Sequence, residues 1–407
     1  MKSSHYCWYI LSLATATHIF AVAMPMMCMP VLFSEIAGDL NLNLVQIGTV
    51  WGAGYLAGAI SGLGGGLIGD RYGTKRTLIT TCLLGGITGA LRGIATSFIG
   101  LSTTVFFFGF MTTTISLNAH KVAGEQFSRH RLGIANGILS AGMGIGFMLG
   151  SMISATVLSP LLGGWRNVLF LYGSISILFG FLWFLPGREP DQLETTPSPT
   201  VIPFRQALVK VLPMKNVWLI ALVRMFFTAA TVGYAGYLPL FLRGVGWTAV
   251  SADGALAAAT GVSTIGVIAL TLLSDKLGLR KVVLIATALV VTTGIGLLSV
   301  LHNMMVWLIV VLVGFVREGF VATTITTTME TRGVGSQYAG TALGITVAFM
   351  NLGGFFGPPL GNSLATINAG LPFAFWAAMG IITLLVILFV EETGQRKGGL
   401  TSTNQVT

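Results

Sequence analysis

Apolar runs long enough to cross the ~30 Å hydrocarbon core of a bilayer recur along almost the whole of this 407-residue chain. They fall at 8–33, 46–68, 77–97, 98–120, 133–159 and 166–186, then at 217–241, 252–274, 282–301, 304–328, 338–364 and 372–390. Their residues do not alternate polar and apolar as barrel strands do, so each run predicts a helix that satisfies its own backbone inside lipid. Charged residues make up 9% of the chain, against about 25% in a soluble domain, too few to cover a water-facing surface. The expected fold class is therefore an all-α integral membrane protein with twelve transmembrane helices. Soluble enzymes, secreted disulfide scaffolds and disordered chains are excluded. Cys7, Cys28 and Cys82 lie in or beside apolar runs without metal-ligand spacing and read as small core residues. Ala21-Val22-Ala23 looks like a signal-peptidase site, but the apolar run around it outlasts a signal core of about 7–15 residues, which predicts a retained first span.

The net charge of +9 resides mostly in short loops, with no basic block interleaved with aromatics, so nucleic acid is not an expected partner. Arg71, Lys75 and Arg76 follow span 2, Lys121, Arg129 and Arg131 follow span 4, and Lys276, Arg280 and Lys281 follow span 8. The odd-numbered loops hold little positive charge: Glu35 and Asp39, then Arg166, then Arg243. The positive-inside rule thus predicts cytoplasmic even-numbered loops and termini, in the inner (plasma) membrane.

Residues 187–216 interrupt the pattern with Arg188, Glu189, Asp191 and Glu194 and a Thr-Thr-Pro-Ser-Pro stretch, which predicts a cytoplasmic linker. A short amphipathic helix is expected over 204–211. The division is a six-helix bundle at 1–186, the linker, a second six-helix bundle at 217–390 and a cytoplasmic tail at 391–407. The two halves repeat. Asp70 and Asp275 stand 205 positions apart, as do Gly73 and Gly278, and Gly109 and Gly314. At an offset of 207, Gly137, Gly146 and Gly150 of span 5 match Gly344, Gly353 and Gly357 of span 11. Such repeats predict two pseudo-symmetric halves, a layout many secondary transporters use for alternating access. Glycines four apart let helices approach closely. In span 5 they are read as a static seam, a sliding seam against span 8, or both. Pro358-Pro359 predicts a kink in span 11.

The loop Gly66-x-x-x-Asp70-Arg71-x-Gly73-x-Lys75-Arg76, its partial echo from Asp275 to Lys281, the linker and the glycine-rich fifth span resemble the major facilitator superfamily over roughly residues 8–390. The resemblance implies a charge latch between the halves in the outward-facing state. Its gating residues would be Asp70, Arg71, Gly73 and Lys75, with Asp275 and Arg280 in the second copy. Thr74 and Leu279 stand where the family usually has Arg. The segments 120–127 and 133–137 are also similar to the nitrate- and cyanate-permease branch, whose nitrate carriers place paired arginines in spans 2 and 8; this chain has none inside either.

Ionisable residues inside spans are costly to bury and are candidate functional groups. Here they are His18, Arg92, Arg224, Arg317 and Glu318. The family resemblance implies that spans 1, 4, 7 and 10 line a central cavity, and all but Arg92 fall on those spans. At 1.5 Å per residue, Arg224 lies ~10 Å and Arg317 ~16 Å from the cytoplasmic ends of their helices, and His18 ~15 Å deep. Arg317, Arg224 and His18, with Thr113 and Asn118 of span 4, are the expected substrate-binding residues, and Glu318 the expected proton carrier. Other readings stand beside these. Arg224 and Arg92 snorkel to the interface, Arg317 and Glu318 form a structural pair, or His18 is a hydrogen-bonded packing residue.

Two arginines against one carboxylate leave a surplus positive charge, and guanidinium suits a carboxylate or similar oxyanion. The expected function is secondary transport of a small organic or inorganic anion by rocker-switch alternating access, with a co-transported proton as the candidate coupling ion. The alternative is an exporter of drugs or other lipophilic compounds. Aromatics such as Phe106, Phe107, Phe108, Phe226 and Phe227 speak for it, and the lack of an interior Asp, Glu or Arg in spans 1 and 4 speaks against it. No paired carboxylates, metal cluster, nucleophile–base set or ATP-binding loop is present, so neither enzyme nor cofactor is expected.

Overall fold

In the computed structural model, residues 4–127, 131–185, 204–301 and 304–394 are described, without the side chains of 4, 63–67, 70, 204, 205 and 336. Linker residues 187–203, tail residues 395–407, Arg129 and the side chain of Asp70 therefore lie outside the described residues.

Twelve helices are long and apolar enough to cross a membrane, and the described residues contain no strand. The spans are His5–Leu40, Leu44–Gly62 (its helix continues to Tyr72), Thr74–Ile94, Phe98–Gln126, Leu132–Leu162, Trp165–Leu182, Lys215–Gly244, Ala249–Leu277, Arg280–Leu297, Met305–Glu330, Gln337–Thr366 and Leu371–Phe389. They are numbered 1 to 12 in that order. A thirteenth helix, Phe204–Val211, precedes span 7. Its Val211 packs on Val217, Val334 and Ala342. Apolar side chains such as Ile60, Ile87, Ile99, Ile134, Ile265, Leu272 and Leu308 remain exposed, as a lipid-facing surface requires.

Local chemistry sets the boundaries. Span 1 ends at Asn41 in the left-handed region, and Asn43 with Gln46 forms a capping box that opens span 2. The side chains of Ser97 and Thr248 cap spans 4 and 8. A 3-10 turn at Arg92–Ile94 and an extended Ala95 separate spans 3 and 4, which are nearly fused in the sequence. The matched glycines Gly73 (φ 85°) and Gly278 (φ 61°) make the turns after spans 2 and 8, where a side chain would be strained. Span 1 is π-helical over His18–Ala23, immediately before Pro25. Pro25 and Pro30 have no N–H to continue the ladder. Span 11, in contrast, runs as one helix, Gly335–Ser363, through Pro358 and Pro359.

The repeated glycines are where helices of one half touch. A methyl on Gly146 or Gly150 would lie 2.6–3.1 Å from the backbone of Ile19 or Met24 in span 1. At the matched positions, Gly353 and Gly357 abut Met225 and Ala229 of span 7. Likewise Gly109 abuts Gly54 (spans 4 and 2), and Gly314 abuts Ala259 (spans 10 and 8). Gly146 and Gly150 of span 5 thus face span 1, and span 5 also packs on span 8. Gly144 alone of that set faces span 8, at Thr264, and Gly137 meets nothing within 4 Å.

The halves meet mainly near the face opposite the termini. The indole N–H of Trp51 in span 2 donates to the Val232 carbonyl of span 7 at 3.0 Å. The Asn362 amide of span 11 donates to the Leu44 carbonyl at 2.9 Å. Gly48 and Gly52 bring span 2 against Pro358-Pro359 and Phe355. Spans 5 and 8 touch through Met148 and Gly261.

Candidate substrate site between the two halves

Span 10 places Arg317 and Glu318 side by side, and despite the ~100° between successive helix positions they pair, Nη2 to Oε1, at 2.9 Å. Their side chains are 18% and 33% exposed, so the pair is open on one side. Tyr55 of span 2, in the other half, lies within electrostatic reach of both, and Tyr234 of span 7 within reach of Arg317. The Tyr234 hydroxyl is buried with no hydrogen-bond partner. Phe227 stacks on Phe320 at 3.7 Å between ring centroids, fixing span 7 against span 10.

Arg224 is buried at 4% exposure, which rules out snorkelling in this conformation. It donates to the Thr346 hydroxyl at 2.9 Å and to the Met350 sulfur at 3.1 Å, both on span 11. No carboxylate pairs with it among the described residues, and no described contact joins it to Arg317 or Glu318.

A cavity of about 110 Å³ opens between spans 1, 2, 3, 4 and 11. Tyr55, Thr112, Thr113, Asn351 and Arg92 supply its polar lining, with Met26, Met29, Trp51 and Phe108 among the apolar groups. Thr113 is thus placed at the cavity, near Asn351 across the path of Gly58. Asn118 is not part of it. Its amide donates to the Thr114 carbonyl at 2.9 Å, and its side chain packs on Gly69. His18 is also elsewhere, fully buried between spans 1, 4 and 5. Its Nδ1 lies 3.4 Å from the Leu139 carbonyl and its ring 5.3 Å from that of His120, while Nε2 has no partner. Neither residue is among those lining the cavity in this conformation.

The sequence reading of Arg92 as a snorkelling residue is overturned: Arg92 is 1% exposed. The 3-10 turn folds its side chain inward. Its Nη1 donates to the Pro25 carbonyl at 2.9 Å and its Nε to Gly89 at 3.2 Å. The guanidinium carbon sits 3.8 Å over the Phe108 ring. Trp51, Tyr55 and Asn351 carried no charge signal and were missed. Their aromatic and amide chemistry at helix interiors was the available clue.

Among the expected gating residues, the described contacts of Arg71, Asp275 and Arg280 stay within one half. Arg71 is exposed, 5.6 Å from the Tyr72 ring centroid, with no ion-pair partner among the described residues. Arg280 binds Asp275 at 2.6 Å and Glu330 at 3.0 Å, and Glu392 accepts from the backbone N–H groups of Arg280 and Lys281. All belong to the second half. In the first half, Thr74 donates to Glu125 at 2.5 Å. Glu125 and Glu330 again stand 205 positions apart, so each half ties its own loop to the end of span 4 or 10.

The Major Facilitator Superfamily profile matches residues 11–347. The chain belongs to that superfamily. The multidrug resistance protein MdtG of Enterobacter lignolyticus (strain SCF1) is 25% identical over 374 residues, covering 91% of this chain and 86% of the relative. The probable galactarate/D-glucarate transporter GudP of Escherichia coli (strain K12) is 25% identical over 171 residues, covering 39% and 36%. Among solved structures, an inward-facing, unoccupied bacterial homologue of the human lysosomal transporter Spinster superposes with a TM-score of 0.76 at 16% identity, over 95% of both chains. A mutant of the nucleoside transporter NupG superposes at 0.77 and 14%, over 94% of this chain and 99% of that one. These likenesses support the twelve-helix superfamily fold and a multi-pass transport protein that is not an enzyme.

Proposed function

We propose that this transporter moves a small organic anion together with a proton, by rocker-switch alternating access, with its termini in the cytoplasm. The observation that carries the reading is the charge balance at two arginines inside the spans: among the described residues Arg224, which is buried, has no carboxylate partner, and Arg317 pairs with its neighbour Glu318 alone. A buried cation left without a counter-charge is costly. An arriving carboxylate offsets that cost.

The Arg317–Glu318 pair supplies a coupling step. The anion takes the bidentate place on the Arg317 guanidinium, Glu318 leaves the pair, and its carboxylate, no longer held by the guanidinium, accepts a proton. Anion, proton and pair sum to zero, the charge of the empty pair, so loading adds no net charge to the pair as the halves rotate, and Arg224 keeps its charge in both states. Thr113, Tyr55 and Tyr234 are the neutral hydrogen-bonding groups around it. Closure at the face opposite the termini corresponds to the inward-facing state. The separate charge clusters of the two halves fit a latch that engages through Asp70, Arg71, Gly73 and Lys75, with Asp275 and Arg280, when the outward-facing state forms.

Uptake of labelled carboxylates into proteoliposomes, with and without an imposed proton gradient, tests the reading. Arg317→Gln abolishes uptake in a folded protein, and Glu318→Gln uncouples it from the gradient. Unchanged uptake by Arg317→Gln overturns the assignment. A second reading, export of lipophilic compounds, has support from the likeness to MdtG across most of the chain and from the methionines and aromatics around the cavity. Gradient-driven movement of lipophilic cations, with no anion uptake, would establish it.

A further inference from the structure

We propose that the cavity beside span 3, built mainly from the first half with Asn351 of span 11, is an anion-anchoring pocket. In it, Arg92 holds the head of an organic monocarboxylate whose apolar body lies among Met26, Met29, Trp51 and Phe108. This deepens the anion reading above, resting on it for the class of cargo, and adds a position and a ligand shape that Arg317 does not define.

Arg92 is a costly residue in its position. It is almost completely buried, and no carboxylate bonds to it among the described residues. Two of its nitrogens donate to backbone carbonyls and its guanidinium carbon lies over Phe108, but Nη2 is buried with no hydrogen-bond partner among the described residues. A purely structural bolt between spans 3 and 1 would leave that donor orphaned, which is costly in a buried position. Arg92 lines a cavity. Two further donors line the same space, the Tyr55 and Thr113 hydroxyls, and neither makes a hydrogen bond among the described residues.

The lining selects the ligand. Arg92 is the sole charged residue among the cavity's lining residues, so one negative charge is neutralised there and a second would be buried unpaired. The methionine and aromatic walls do not rehydrate a small inorganic ion, whereas an aromatic or branched hydrocarbon body loses water contact on entering them. Met26 and Met29 adapt to differing shapes.

Gly54 provides a test that leaves Arg92 untouched. It lines the cavity, and a methyl there meets only Val105, at 3.8 Å or beyond. Gly54→Leu therefore fills the cavity, and Gly54→Ala controls for helix packing. The full-length protein in detergent is titrated with benzoate, phenylacetate and hexanoate, with benzamide, benzylammonium and terephthalate as matched controls, reading thermal stabilisation and binding heat. The expected result is stabilisation by at least one monocarboxylate and by none of the controls. Its Kd rises at least about tenfold, or 1.4 kcal/mol, in Gly54→Leu and in Arg92→Lys, which keeps the charge but loses the fork. If Arg92→Lys does not fold, Gly54→Leu alone decides. Stabilisation by none of the three monocarboxylates, equal binding by Gly54→Leu, or equal binding of benzamide overturns the pocket. Anion uptake that is insensitive to Gly54→Leu sinks the pocket and leaves the anion reading standing. Cavity-dependent benzoate binding without any anion uptake does the reverse.

Discussion

Replacing Gly150 with Ala puts one methyl group into the seam between spans 5 and 1, and the structure allows its cost to be worked out. The new carbon would stand 2.6 Å from the Met24 carbonyl oxygen, 2.8 Å from its Cα and 3.1 Å from its carbonyl carbon. Ordinary contact needs ~3.5–4.0 Å between carbons, so the two helices must separate locally by about 0.7–1 Å. A gap of that size forfeits a quarter to a half of each contact along the seam, and over-packing of this kind typically costs about 1–3 kcal/mol. Alanine also gains about 1 kcal/mol of helix propensity over glycine. On the same helix, a methyl added at Gly137 would meet nothing within 4 Å, so Gly137→Ala keeps the gain without the clash. The propensity contribution is common to both variants and cancels. Gly150→Ala should therefore unfold about 1–3 kcal/mol more easily than Gly137→Ala in mixed-micelle denaturation. Gly357→Ala, at the matched place against Ala229, should behave as Gly150→Ala does. Equal stability of Gly137→Ala and Gly150→Ala would refute the seam.

Three further outcomes follow from the described contacts. Arg243→Leu leaves Asp253, fully buried and bound to Arg243 at 2.7 Å, as an uncompensated charge; it should cost about 3–5 kcal/mol, and Arg243→Leu with Asp253→Leu considerably less, in the same denaturation assay. Trp51→Phe removes one cross-half hydrogen bond, to Val232, worth about 0.5–1.5 kcal/mol. It should shift the halves toward opening on the face opposite the termini, read as faster labelling of a cysteine placed there. Glu330→Gln cuts a partly exposed pair with Arg280 and should lower stability by no more than about 1 kcal/mol, an effect that high salt reduces further.

The fold was legible because lipid imposes one rule on every span, and each run of apolar residues obeys it independently of its neighbours. The helix partners were partly legible. Repeated glycines marked the seams, but period alone does not say that Gly146 and Gly150 face span 1 while Gly144 faces span 8. Glu125 and Glu330 stand 205 positions apart, but their partners Thr74 and Arg280 do not occupy matched positions, so these ties were not legible in the repeat. The site was harder to read. Arg92 sits at the end of a span, where a long side chain ordinarily reaches outward. A 3-10 turn and the Pro25 carbonyl, which lies in another helix, draw it inward instead. Arg224 found Thr346 and Met350 on span 11, contacts between helices that no local pattern encodes.

The central claim is that an anion displaces Glu318 from Arg317 and that Glu318 then carries a proton. The most direct measurement is simultaneous recording of carboxylate uptake and internal pH in proteoliposomes of the wild type and of Glu318→Gln. One proton should enter with each anion in the wild type, and in the variant anions should move without internal acidification. Acidification that persists unchanged in Glu318→Gln, or anion uptake never accompanied by protons in the wild type, would contradict it.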